Sequence, residues 1–195
     1  MTDLYKEIIT SPPEFPVEKI TMVSGDGKII LSSGKWFDVF NPNPDDIDLK
    51  DIAHALANQC RFTGHVSEFY SVAQHSVLVS EFCDPSDSAW GLLHDASEAY
   101  LSDIARPIKK HPDFGPFYLE AEERITNAVM DAFGLPHEMP DSVKAADDML
   151  LRMEARDLMP DTFPVYEGDT SSQIIVPWNP RQAYGEFIVR SFEVM

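Results

Sequence analysis

The chain has 195 residues, 44% of them hydrophobic and 11% aromatic, which suits one globular domain with a substantial core and excludes a disordered chain. Its 15 Lys and Arg oppose 33 Asp and Glu, and the net charge of −18 argues against binding to nucleic acid or to an anionic membrane. A small anionic substrate would bind only where cations or a metal reverse that field locally. Because the sequence has neither an apolar run of membrane-spanning length nor an apolar signal core, it predicts a soluble cytoplasmic protein.

Residues 1–45 predict a small N-terminal β element. Proline, glycine and β-branched residues are frequent there, and the sequence GDG lies between two short apolar runs. A glycine-containing turn between apolar runs is typical of a β-hairpin.

Residues 48–195 predict a helical core, so that the whole chain is expected to be a single, mainly α domain. Apolar residues recur there at three- and four-residue spacing. Six segments show the pattern: 48–60, 67–83, 84–101, 115–134, 140–159 and 181–194. Gly134 should end the fourth helix. Cys60 and Cys83 both lie in apolar helical patterns, which favours free thiols over a disulfide.

His94 and Asp95 stand side by side in the third predicted helix and form a candidate metal site. Neighbours on a helix point about 100° apart, yet an ion beside the helix could touch both side chains. Imidazole nitrogen and carboxylate oxygen together suit Zn, Mn, Fe or Co. Glu98 lies over the same side by its three- and four-residue spacing, and Asp103 follows. The alternative is a hydrogen-bonded polar pair with no metal.

Two other helices offer partners to this pair. His75 lies on the apolar side of its helix with Val72 and Val79, where a histidine of the core is the alternative. Asp147 shares a stripe with Lys144, Leu151 and Glu154. A carboxylate beside leucine is costly to bury without a partner, which a metal would supply. The alternative there is a salt bridge with Lys144 or Arg152, and the adjacent Asp148 competes with Asp147 as a ligand.

Three blocks carry a family resemblance: CRFTGHVSEFYSVAQHS, LLHDASEAYLSDIARPIKK and VKAADDMLLRMEARDLM. In this order they resemble the motifs of the HD-domain metal-dependent phosphohydrolases. The similarity covers about residues 48–160 and is to compact bacterial and viral members, the 5'-deoxynucleotidases and the viral dATP triphosphohydrolases. It implies an HD-domain helical bundle with a small N-terminal β-hairpin, located in the host cytoplasm if the protein is viral.

The resemblance also implies roles for individual residues. One divalent ion (Zn, Co, Mn or Mg) would be held by His75, His94, Asp95 and Asp147, and a second ion is left open. Glu98 and Asp103 match the acidic pair that works on the nucleophilic water. The other matched positions face substrate: Arg61 and Phe62 at the sugar and base, Lys109 and Lys144 at phosphate, and Pro107 in the nucleoside pocket.

Two further residues are candidates outside that pattern. His65 could contact phosphate or a second metal, and a loop or helix-start histidine is the equally weighted alternative. Trp36 could reach the pocket from the N-terminal hairpin and contribute to base choice, although aromatic residues at such positions are more often part of the core.

The sequence therefore predicts a metal-dependent deoxynucleotide phosphohydrolase. A dNTP triphosphohydrolase, acting on dATP and releasing deoxynucleoside and tripolyphosphate, is favoured because His65 and Tyr70 are extra groups near the expected phosphate side. A 5'-deoxynucleotidase acting on a dNMP is the alternative. A non-catalytic metal-containing binding module would have no need of Glu98 and Asp103. Assembly as a homo-oligomer is expected, and the C-terminal stretch AYGEFIVRSFEVM could form the interface or part of the core.

Overall fold

The protein is mainly helical, with a small antiparallel hairpin near its N-terminus. A computed structural model describes residues 27–161 and 171–195. Two strands, β1 (Lys28–Ile30) and β2 (Trp36–Asp38), precede the helices. The helices are α1 (Leu49–Asn58), α2 (Val72–Phe82), α3 (Ser88–Leu93), α4 (Glu98–Leu101), α5 (Arg106–Lys109), α6 (Gly115–Phe133), α7 (Asp141–Leu158) and α8 (Pro180–Val194). Within these residues, none of the helices combines the length and apolar character that crossing a membrane requires.

The hairpin confirms the predicted β element but uses a different turn. Ile29 pairs with Phe37, and the strands are joined through Leu31–Lys35, where Gly34 has a positive φ of 83°. The GDG sequence ends at Gly27, before β1, so it does not join these strands. The earlier apolar run of the predicted hairpin lies outside the described residues. Phe37 is buried and its ring stacks on that of Tyr100 at 4.1 Å, which anchors the hairpin to the helical core.

Helix α2 is the centre of the fold. It packs against α1, α3, α7 and α8, and every residue from Val72 to Ser80 is buried. It begins later than the segment 67–83 predicts, because the Ser71 hydroxyl accepts the Gln74 N–H at 3.1 Å and caps the first turn. Helix α3 comes very close to α2 at Gly91. An added Cβ there would lie 3.0 Å from Ser80 Cα and 2.9 Å from Cys83 Sγ, so a larger residue would force the two helices apart.

Helices α1, α6, α7 and α8 follow the predicted segments closely, whereas the short helix α5 lies outside all of them. Helix α6 ends at Gly134, which adopts the left-handed conformation expected of a helix-terminating glycine. Helix α8 contributes Ala183 and Phe187 to the core but leaves Phe192 84% exposed, so this segment is partly core and partly surface. Cys60 and Cys83 are free thiols, as predicted.

The third predicted helix, residues 84–101, is broken into α3 and α4 with a turn between them. The backbone N–H groups of Ala96, Glu98, Ala99 and Tyr100 each bond to the carbonyl three residues earlier instead of four. This tightening follows Leu93 and leaves His94 and Asp95 in the turn rather than within an α-helix.

Candidate metal centre

The imidazole of His75 lies at the middle of the site. Its position on the central helix α2 buries the ring completely, and Nε2 faces the other candidate ligands. His75 Nε2 lies 3.2 Å from His94 Nε2, 3.0 Å from Asp147 Oδ1 and 3.7 Å from Asp95 Oδ2. His94 Nε2 lies 3.2 Å from Asp95 Oδ2. The four residues predicted as ligands thus meet around one point.

The two histidines direct their Nε2 atoms to that point. His94 Nδ1 lies 2.8 Å from the carbonyl oxygen of Gly91, which can only accept a hydrogen bond, so the proton is on Nδ1. His75 Nδ1 lies 2.6 Å from Glu154 Oε1. Burial alone would raise the pKa of Glu154, but the cations of Arg61 and His75 lower it, so this carboxylate also accepts. Both Nε2 atoms can therefore offer a lone pair to a metal when the rings are neutral.

The two aspartates supply the negative charge. Burial opposes their ionisation, yet His94, His75 and Arg61 hold the pKa of Asp95 well below its usual range. For Asp147, burial is likewise outweighed by the hydrogen bond and charge of His75, which lower its pKa to about 2. Asp148, the next residue, is exposed, which agrees with the choice of Asp147 as the ligand.

His75, His94 and Asp95 can hold a metal ion, since their ligand atoms all lie within 4.8 Å of one another. Two neutral imidazoles and two carboxylates form a donor set that suits divalent Zn, Co or Mn. In the protein without an ion, burial and the charge of Arg61 lower the pKa of His75, but the carboxylates of Glu154 and Asp147 more than offset both and raise it to about 9. A metal would replace that proton.

Arg61 lies beside the ligands. Its Nη1 is 3.4 Å from Asp95 Oδ2 and its Nη2 is 3.2 Å from Glu154 Oε2. The guanidinium also lies 5.6 Å from the ring centroid of Phe62. Arg61 therefore contacts one candidate ligand, Asp95, and the carboxylate that accepts from His75. It also lines the cavity, as the sequence predicts.

Glu98 is a further buried acid beside this cluster. Its Oε1 lies 3.3 Å from Lys109 Nζ, and its Oε2 has no hydrogen-bond partner among the described residues. Burial, together with the charges of Asp95 and Asp103, raises the pKa of Glu98 well above its usual value, against the lowering effect of Lys109. The Lys109 ammonium also contacts Glu122 Oε1 at 2.8 Å.

A cavity of about 810 Å³ opens in front of the cluster. It brings together most of the residues predicted from the sequence to bind substrate or catalyse. Those in its lining are Arg61, Phe62, His65, Asp95, Glu98, Asp103, Pro107, Lys109 and Asp147. A second cavity, of about 750 Å³, is also lined by His94, Asp95 and Lys109.

Three predicted contacts are not in that lining. Lys144 is exposed one turn before Asp147, and Trp36 is 52% exposed on β2. Tyr70 is wholly buried, so it cannot offer a group to phosphate in the cavity.

Sequence reasoning gave no role to several residues that the structure places here. Glu154 is the partner of His75, and its only sequence signal was its position on the stripe of Asp147. Arg106 and Lys110 line the cavity on either side of the predicted Pro107 and Lys109. Glu122 holds Lys109 from α6, and no local pattern relates the two.

No family model matches the sequence. The chain is similar to uncharacterized protein YfdR of Escherichia coli, with 43% identity over 163 residues that cover 81% of this chain and 90% of the relative. It is also similar to uncharacterized protein RCAP_rcc00048 of Rhodobacter capsulatus, with 39% identity over 141 residues that cover 66% of this chain and 71% of the relative. At this identity and coverage, the chain belongs to the same family as YfdR.

Proposed function

We propose that this protein is a divalent-metal-dependent deoxynucleotide phosphohydrolase that cleaves a dNTP into deoxynucleoside and tripolyphosphate. One observation carries the proposal. The four candidate ligands His75, His94, Asp95 and Asp147 converge beside a cavity that also holds the buried carboxyl group of Glu98. A divalent ion there would act as a Lewis acid toward a phosphoryl oxygen and would acidify a water.

The charge of the cavity supports an anionic substrate. Four cationic side chains line it, balancing four acidic ones: Arg61, Arg106, Lys109 and Lys110 against Asp95, Glu98, Asp103 and Asp147. The chain as a whole carries −18, so the cavity is far less negative than the average surface. A bound divalent ion would make it positive, which favours a polyphosphate over neutral ligands.

Glu98 is the group proposed to move the proton. Cleavage forms a bond from water oxygen to the α-phosphorus and breaks the bond from that phosphorus to the 5' oxygen. The attacking water loses a proton, and the 5' oxygen must leave with one. Glu98, whose pKa is raised above its usual value, would donate its proton to the 5' oxygen, and the proton lost by the water would restore the acid form of Glu98. Lys109, 3.3 Å from Glu98, would offset phosphate charge beside it.

A dNTP is favoured over a dNMP by the number of side-chain N–H donors that line the cavity beyond the metal ligands. His65, Arg106 and Lys110 line the same cavity as Lys109, and a single phosphate has no need of so many. Of the two groups that favour a triphosphate in the sequence, His65 lies in the cavity and Tyr70 does not.

The test is to incubate the Co²⁺-loaded protein with each dNTP and each dNMP and to resolve nucleosides and phosphates by chromatography. Tripolyphosphate with deoxynucleoside from a dNTP is the expected result, with dATP as the preferred substrate. Phosphate from a dNMP with dNTPs untouched would make the protein a 5'-deoxynucleotidase instead. Glu98→Gln should lower kcat by about 100-fold or more while Co²⁺ still binds. Metal binding without hydrolysis of any deoxynucleotide would leave the non-catalytic module as the better description.

A further inference from the structure

Both carboxylate oxygens of Glu154 contact residues of the candidate metal centre. Its side chain is completely buried on α7. Oε1 lies 2.6 Å from His75 Nδ1, and Oε2 lies 3.2 Å from Arg61 Nη2. The other terminal nitrogen of Arg61, Nη1, lies 3.4 Å from Asp95 Oδ2. One carboxylate thus contacts one candidate ligand directly and reaches a second through a single guanidinium.

The direct contact fixes the orientation and the tautomer of His75. An imidazole on a helix can rotate about its side-chain bonds, and a ring protonated on Nε2 cannot bind a metal. An ionised acceptor at Nδ1 keeps the proton on that nitrogen and leaves Nε2 directed at His94, Asp95 and Asp147. The negative charge also makes the imidazole a stronger donor to a cation.

The indirect contact limits the position of Asp95. Arg61 is fixed between Glu154 and Asp95, with both terminal nitrogens engaged. Its positive charge balances that of Glu154, so the buried pair adds no net charge to the centre. A buried carboxylate is costly when it is not paired, which means that Arg61 and Glu154 depend on each other.

We propose that Glu154 is a positioning residue that sets the divalent-metal affinity of this centre, acting on His75 directly and on Asp95 through Arg61. The inference rests on the metal centre of the proposed function and not on the identity of the substrate. It assigns the second acidic residue of the α7 stripe a role that differs from that of Asp147, which is a candidate ligand itself.

The experiment measures metal binding to the full chain rather than activity. Glu154→Gln keeps the size of the side chain but removes its charge, and it offers an acceptor to only one of the two donors. Calorimetric titration with Co²⁺ should show affinity about 10- to 100-fold weaker than in the wild type. The visible absorption of bound Co²⁺, which reports ligand geometry, should change as well. Glu68→Gln, at an exposed acid, is the matched control and should bind as the wild type does.

A second variant separates positioning from loss of fold. Glu154→Gln removes the charge of one of the two carboxylates that Arg61 contacts, which could unfold the protein. The double variant Glu154→Gln with Arg61→Met removes both charges, so folding should be retained by thermal unfolding and circular dichroism. It should still bind Co²⁺ at least about 10-fold more weakly than the wild type. Wild-type affinity and spectrum in the folded single or double variant would overturn the inference.

The outcomes for the inference and for the proposed function are distinct. If the wild type binds Co²⁺ but hydrolyses no deoxynucleotide, the proposed reaction is wrong. The Co²⁺ titrations of the variants then still decide the role of Glu154. If the wild type hydrolyses dNTP and the Glu154 variants bind Co²⁺ normally, only the inference about Glu154 fails. A wild type that binds no divalent ion would overturn both.

Discussion

Asp147 and Asp148 are adjacent acids on α7 with different surroundings. Asp147 Oδ1 lies 3.0 Å from His75 Nε2, while Asp148 is exposed. We expect Asp147→Asn to weaken Co²⁺ binding by more than about 100-fold, beyond the loss typical of outer-shell partners. Asp148→Asn removes the same charge one residue away and should leave the affinity unchanged. Calorimetric titration of both variants checks this, and equal effects of the two would contradict the assignment of Asp147 as a ligand.

Lys109 is expected to set the pH at which Glu98 loses its proton. Burial raises the pKa of Glu98, and the Lys109 ammonium 3.3 Å away lowers it. Removing the ammonium in Lys109→Met should therefore raise this pKa further. The limb of the pH profile of kcat that reports Glu98 should then move to higher pH. Lys50→Met, at an exposed position on α1, is the control that should leave the profile in place. An unmoved limb in Lys109→Met would show that Glu98 is not the titrating group.

The residues of the site could be predicted only as far as the motif and the helical period allow. His75, His94, Asp95 and Asp147 were identified from motif blocks and do meet in space. Lys144 shares the helical stripe of Asp147 yet is exposed, because periodicity gives the face of a helix and not the depth at each turn. The contact of Glu154 with His75 joins residues 79 positions apart, and no local pattern encodes such a pair.

At the scale of elements, the turn of the hairpin is hydrogen-bonded to α1 through the carboxylate of Asp51. Asp51 Oδ1 accepts the Ser32 hydroxyl at 2.6 Å and the Ser33 N–H at 2.8 Å, and Oδ2 accepts the Ser33 hydroxyl at 2.7 Å. Burial raises the pKa of Asp51, but these hydrogen bonds outweigh it and lower the pKa below its ordinary value. The ionised form is therefore the one that stabilises the fold.

We expect Asp51→Asn to lower the free energy of unfolding by about 1–2 kcal/mol at pH 7. A depressed pKa in the folded state gives stability that is present above the unfolded pKa of about 3.9 and is lost as the pH falls through the folded value. The gap between wild type and variant should therefore shrink when urea unfolding is repeated at progressively lower pH. Asp46→Asn makes the same charge change at an exposed acid and is the control. A gap that persists unchanged at low pH would argue against an ionised tether.

The helical segments were largely predictable, and the exceptions have local physical causes. A strong apolar period and a terminal glycine locate α6. The break between α3 and α4 could not be predicted, because Leu93–Ser97 contains neither proline nor glycine. The break is a change in the spacing of the backbone hydrogen bonds. The start of α2 depends on the cap that the Ser71 side chain provides, four residues after the start of the segment that the apolar period predicts.

At the scale of the whole molecule, folding brings several carboxylates together at the site, and their mutual repulsion opposes folding. The candidate ligands come from α2, the turn after α3, and α7, so the fold has to be formed before they meet. Asp95, Glu98, Asp147 and Glu154 are brought close together in a chain that already carries −18. Arg61 and Lys109 balance part of this charge. A divalent ion would balance the rest and would join three segments of the core.

Metal removal should therefore lower the stability of the whole domain. An ion that binds only the folded state stabilises it by about 4 kcal/mol when its concentration is 1,000 times Kd. For a chain of this size, that corresponds to a rise in Tm of roughly 8–16 °C. Calorimetric scans of the EDTA-treated protein with and without Co²⁺ measure the difference. Asp147→Asn should show a much smaller rise at the same Co²⁺ concentration, because it lacks one ligand. If both proteins gained the same increment, the ion would be acting elsewhere on the acidic surface, and the cluster around His75 would not be the metal centre.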